Sequence, residues 1–86
     1  MSTDLAPLPS HFFGQALRAL REEAGVSQDE LHRRSGVAQS HIAACETGRR
    51  SPGYDTISRL AAALGIPLSA IVSRAETIEA FHAAGR

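Results

Sequence analysis

The sequence predicts an all-α domain of five short helices. Three observations point there. Apolar residues recur every three or four positions along most of the chain. Glycines at 25, 36, 48 and 65 interrupt that rhythm where helices of ordinary length would stop. The apolar content is mostly Ala, Leu and Ile, with no Trp and a single Tyr, a composition that favours helix over sheet. The 86 residues, 43% hydrophobic, suffice for one domain around one core, and no strand alternation, internal repeat or low-complexity tract interrupts the helical pattern.

Residues 1–9, MSTDLAPLP, carry two prolines in three positions without periodicity and read as a flexible arm. Ser10 is the expected N-cap of a first helix whose apolar face is Phe13, Leu17, Leu20 and Ala24, with Gly25 as its stop. Ser27 opens a second helix through a capping box. Its hydroxyl is placed to accept from the Glu30 amide while the Glu30 carboxylate reaches back. Leu31 buries this helix, Gly36 ends it, and Val37, apolar inside a turn, is expected to face the core. A third helix, about 39–47, buries Ile42 and Cys45 and stops at Gly48. RRSPG breaks the chain before a fourth stripe of Tyr54, Ile57, Leu60, Ala61 and Leu64, closed by Gly65. Pro67 suits the start of a fifth helix with Leu68, Ile71 and Val72 as its apolar face, and the rhythm continues through Ala75, Ile78 and Phe81. The folded domain therefore spans 10–74, and 75–86 form a C-terminal tail able to extend the fifth helix.

Nine arginines balance nine acidic residues, and lysine is absent. A net charge of zero excludes a uniformly basic coat, so nucleic-acid binding would need local clustering of arginines. The single Cys45 excludes an internal disulfide and a cysteine-based zinc site. No segment has the pattern of a secretory signal or the length of a membrane span, which leads to the expectation of a soluble, cytoplasmic protein without a membrane partner. No Ser/His/Asp or Cys/His set, paired carboxylates or phosphate loop indicates an enzyme, and no cofactor is expected. His41 and Cys45, four apart, could share a metal ion, but Cys45 lies in an apolar register and reads as core, so no metal site is assigned. His11, His32 and His82 read as surface residues.

The middle of the chain carries the functional signal. Two helices of about eight residues, joined by a glycine-containing turn, are too short to be stable alone and match the helix-turn-helix unit. Its second helix is narrow enough for the major groove, and its N-terminal residues reach base edges. FGQALRALREEAGVSQDEL and SGVAQSHIAACETGRRSPGYDTISRLAAALGI hold many positions at fixed offsets. In these the chain resembles the phage-repressor type of helix-turn-helix protein, the Cro/CI or XRE family, from about Phe13 to Val72.

That resemblance implies a five-helix, lambda-repressor-like DNA-binding domain with 39–47 as recognition helix. It implies base contacts at Gln39, Ser40 and Ala44 with His41 alongside, and phosphate contacts at Gln28, Arg49 and Arg50. It also implies an ion pair between Arg21 and Glu46 that joins the first and third helices. Two departures stand out: Ala38 where relatives cap the recognition helix with Ser or Thr, and Cys45 where they carry an aliphatic residue. The function implied is that of a sequence-specific transcriptional regulator, a repressor acting on double-stranded DNA. One recognition helix covers few base pairs, so a homodimer on an inverted-repeat operator is expected, with Ile71, Val72, Ile78 and Phe81 as the candidate dimer surface. A reading of a different class is an antitoxin or accessory module whose main partner is another protein.

Overall fold

The computed structural model describes residues 9–85. Among these are five helices and no strand: α1 (Pro9–Glu23), α2 (Gln28–Ser35), α3 (Gln39–Glu46), α4 (Tyr54–Leu64) and α5 (Leu68–Ala84). Helix α1 is central, packing on α3 and on α5, while α2 packs on α3 and α4, and α4 on α5. Leu17, Leu31, Ile42, Cys45, Leu60 and Ile71 fill the core without solvent contact, so every helix contributes to one apolar cluster. No helix among the described residues is long and apolar enough to cross a membrane.

Helix starts and stops largely follow local chemistry. The Ser27 side chain accepts from Glu30 N at 3.0 Å, but the capping box is only half made. The Glu30 carboxylate turns instead to Arg33 and Arg34 one turn on, at 2.7 and 2.9 Å, where charge-assisted bonds outcompete a neutral amide. Gly36 ends α2 in the left-handed region at φ 77°, and its amide donates to the His32 carbonyl. A side chain at Gly36 would have room but would hold a conformation that L-residues rarely adopt. Val37 is buried, as expected of the turn. The Ala38 cap of α3 makes no side-chain hydrogen bond.

Several positions depart from the periodic reading at helix ends, where the pattern has fewest turns to define it. Helix α1 begins at Pro9, so Ser10 lies inside the helix and is not its cap; the rest of the expected arm lies outside the described residues. Phe12 and Ala16 are buried, Phe13 and Leu20 only partly so, and Ala24 is exposed beyond the last turn. Tyr54, the first residue of α4, is 75% exposed and outside the core. The tail is helical to Ala84, and its core stripe runs Leu68, Ile71, Ala75 and Ile78, leaving Val72 and Phe81 on the outside. The tail continues along α1 in the opposite direction: Arg74 forms a bidentate pair with Glu23 at 2.8 and 3.0 Å, and His82 meets Phe12 with ring centroids 5.6 Å apart. The histidines are not idle surface groups either. His32 Nδ1 donates to the Val37 carbonyl at 2.8 Å, and His11 packs beneath Gly48 with its Nδ1 buried.

Helices α1 and α3 cross in close backbone contact. A Cβ at Gly14 would stand 2.2 Å from the Cys45 carbonyl oxygen and 2.9 Å from that of Glu46. Both are backbone atoms and cannot swing aside, so glycine here is required by close approach and not by torsion. Gly14→Ala is expected to force the two helices apart and cost about 2–3 kcal/mol, lowering the melting temperature by roughly 10 °C or more. Thermal unfolding followed by circular dichroism checks this, and a variant melting with the wild type would contradict the close crossing.

Candidate nucleic-acid interface

Helix α3 is sunk at one end and free at the other. Ile42, Ala44, Cys45 and Glu46 are buried in its second half, whereas Ala38, Gln39 and Ser40 are exposed and His41 and Ala43 partly so. An eight-residue helix cannot hold itself together; anchoring its C-terminal half leaves the N-terminal turn projecting, the end that enters a groove in helix-turn-helix docking.

The anchor is polar. Arg21 and Glu46 are 8% and 7% exposed, and they join in a bidentate pair. Arg21 Nε donates to Glu46 Oε2 at 2.6 Å and Arg21 Nη2 to Oε1 at 3.0 Å, while Arg21 Nη1 donates to the Val26 carbonyl at 2.8 Å. The bond to Glu46 raises the Arg21 pKa above its ordinary value against the opposing effect of burial. Gln28 joins the same cluster, its Nε2 donating to Glu46 Oε1 at 2.9 Å. Sequence reasoning assigns Gln28 to phosphate and Glu46 to structure without linking them. Eighteen positions separate the two, and no local pattern signals a bond across a turn.

The remaining expected site residues divide. Gln39 and Ser40 stand on the exposed end of α3, with His41 at its margin, and Arg49 and Arg50 are exposed in the loop that follows. Ala44 does not share that face: only 6% of its surface is exposed. The chain turns back over the helix end there, with the Arg49 and Arg50 amides both donating to the Ala44 carbonyl at 2.9 and 3.2 Å, and a methyl group is too short to emerge. Cys45 is wholly buried, and burial pushes its thiol pKa up, more than the charge of Arg50 lowers it. The described residues contain no group of three or more His, Cys, Asp or Glu placed to hold a metal ion. Tyr54, which the periodic reading places in the α4 core stripe, is instead exposed just beyond the loop that carries Arg49 and Arg50.

Of the eight arginines among the described residues, six are paired with carboxylates: Arg18 with Glu22, Arg21 with Glu46, Arg33 with Asp29 and Glu30, Arg34 with Glu30, Arg59 with Asp55, and Arg74 with Glu23. Arg49 and Arg50 form no ion pair among the described residues.

The helix-turn-helix domain family matches residues 13–71. The chain is 42% identical over 73 residues to the HTH-type transcriptional repressor RghR of Bacillus subtilis, a match covering 84% of this chain and 54% of the relative. It is 35% identical over 66 residues to the immunity repressor of Bacillus phage phi105, covering 77% of this chain and 46% of that one. The chain thus spans about half the length of these relatives. Among solved structures, it is similar to the restriction-modification controller protein C.AhdI from Aeromonas hydrophila, with a TM-score of 0.71 and 37% identity over 72% of this chain and 94% of that one. The clp gene regulator ClgR from Corynebacterium glutamicum gives a TM-score of 0.88 and 29% identity over 92% and 84%.

Removing one member of the buried pair leaves an uncompensated charge in the interior. Glu46→Ala is expected to cost about 3–5 kcal/mol, enough to unfold a domain of this size or bring it close to unfolding. Chemical denaturation checks it, and unchanged stability would show that the pair does not hold the fold.

Proposed function

The chain belongs to the Cro/CI, or XRE, family of helix-turn-helix proteins, and from that premise we propose that it is a DNA-binding transcriptional regulator that inserts α3 into the major groove. The observation that carries the reading is the distribution of unpaired charge. In a chain of zero net charge, the two arginines without an ion pair among the described residues are adjacent and closely follow the exposed helix. Self-neutralised arginines elsewhere contribute little to attraction for a polyanion, whereas two free guanidiniums beside α3 favour phosphates on either side of a groove.

In this reading Gln39 and Ser40 touch base edges, with Gln39 suited to bidentate pairing with adenine and His41 flanking them. Gln28, Arg49 and Arg50 bind phosphates and fix the register. The thymine-methyl contact expected of Ala44 is not part of the proposal, because that side chain is covered. With so few polar groups on α3, DNA shape carries part of the specificity. The relatives named as repressors support repression as the sign of regulation, and a cytoplasmic location follows from the same role. They are transcriptional regulators, so the reading as a protein-interaction module is not taken further.

One recognition helix covers only a few base pairs, so a homodimer supplies the second. Of the four expected interface residues, Ile71 is fully buried and belongs to the monomer core, and Ile78 is partly buried against it. Val72 and Phe81 remain, at 44% and 81% exposed. Phe81 borders a groove also lined by Phe12, Gln15, Ile78, His82 and Gly85. A protruding aromatic beside an apolar groove is self-complementary under two-fold symmetry, which favours a second copy docking at the far end of α5.

Two experiments test these readings. Selection of the purified protein on a randomised duplex pool is expected to enrich an inverted repeat with half-sites about one helical turn apart. Enrichment should disappear in Gln39→Ala, and Arg49→Gln and Arg50→Gln should each flatten the salt dependence of binding by about one unit of slope, the share of a single neutralised phosphate. Recovery of no sequence would refute the regulator reading. Phe81→Asp is expected to turn a dimer into a folded monomer in analytical ultracentrifugation, and a variant that stays dimeric would place the interface elsewhere.

A further inference from the structure

We propose that Glu46, besides closing the ion pair with Arg21, is a positioning residue for DNA: it fixes which end of the Gln28 amide faces outward and holds that side chain in place before DNA arrives. The inference rests on the DNA reading above and extends it to a residue that touches no DNA.

Donors from two other helices constrain the carboxylate. Glu46 is buried, and Arg21 grips both of its oxygens while Nη1 of the same guanidinium is tied to the Val26 backbone. Oε1 is therefore held by Arg21 of α1 and by Gln28 of α2 at once. An ionised carboxylate only accepts hydrogen bonds, so the Gln28 group 2.9 Å away must be its NH2. The amide is then oriented end for end: one N–H is taken by Glu46, and the carbonyl oxygen and the second N–H are left for other partners. A glutamine on a surface helix is normally free to rotate and loses that freedom when it binds. Gln28, half-buried and charge-bonded, has lost it already, so a phosphate oxygen meets a donor in place. The arrangement also joins the phosphate contact at the start of α2 to the end of the recognition helix, because the residue that bears this carboxylate is the last of α3.

The test is a double-mutant cycle on the full chain with the duplex enriched by pool selection. Glu46→Gln weakens the charge-assisted bond to a neutral one of about half the strength and is expected to lower affinity about tenfold in the wild-type background. In a Gln28→Met background the same change should move affinity less than about twofold, although it still lowers the melting temperature there by removing the charge opposite Arg21. Equal losses of affinity in the two backgrounds, or no loss in either, overturn the proposal. Should Glu46→Gln fail to fold, the wild-type protein decides by NMR. One Gln28 side-chain amide proton is expected to be protected from exchange before DNA is added and the other to shift on titration with duplex; two equally exchanging protons overturn it. Selection that recovers no sequence removes the DNA reading itself, and with it this inference, whereas tight duplex binding with additive losses removes the inference alone.

Discussion

A buried guanidinium–carboxylate pair sets the terms for the rest of the molecule. Taking two charges out of water costs several kcal/mol per ion, and that cost is met only where every strong donor and acceptor finds a partner. Glu46 receives three hydrogen bonds and Arg21 gives three. The same two helices, α1 and α3, also meet in close backbone contact two turns away, where Gly14 lies against the carbonyls of Cys45 and Glu46. The crossing in turn decides which half of α3 is buried. The exposed end is the remainder of a helix whose other end has been committed to an ion pair.

Much of this was legible in the sequence. Five helices, their glycine stops and the central buried residues follow from spacing, because a stripe several turns long overdetermines its own face. Two reasons explain most of the misses. At helix ends a single residue can satisfy the period while lying beyond the core: Ala24 and Tyr54 kept the spacing and lost the burial, and Phe12 was hidden beside the equally apolar Phe13. Across helices, partners are set by tertiary geometry. Arg21 with Glu46 could be expected only because related proteins place charges at those positions, and the Gln28–Glu46 bond had no signal at all. The burial of Ala44 had no signal either, because the fold-back of the following loop over the end of α3 is not a periodic feature.

Charge is managed by pairing more than by excess. Helical neighbours neutralise Arg18, Arg33, Arg34 and Arg59, exposed pairs that add little stability but leave the surface electrically quiet. Against that background two unpaired arginines form a local field that a whole-chain charge count conceals. Glu76 and Glu79 on α5 have no ion pair among the described residues, so the residual charges of opposite sign sit on different elements. The acids belong to the helix proposed for dimerisation and the arginines to the loop beside α3, an arrangement that orients the molecule in the field of a polyanion.

The half-buried disposition of α3 separates two kinds of obligation along eight residues. Ile42, Cys45 and Glu46 answer to the interior. Gln39 and Ser40 have no side-chain hydrogen bond among those described that ties them to it, and their side chains stand in solvent. Such a helix can be rewritten at its tip while its root stays fixed. Evolution can exchange one or two surface residues at that tip without having to solve the folding problem again, so variation there carries little risk to the scaffold beneath it.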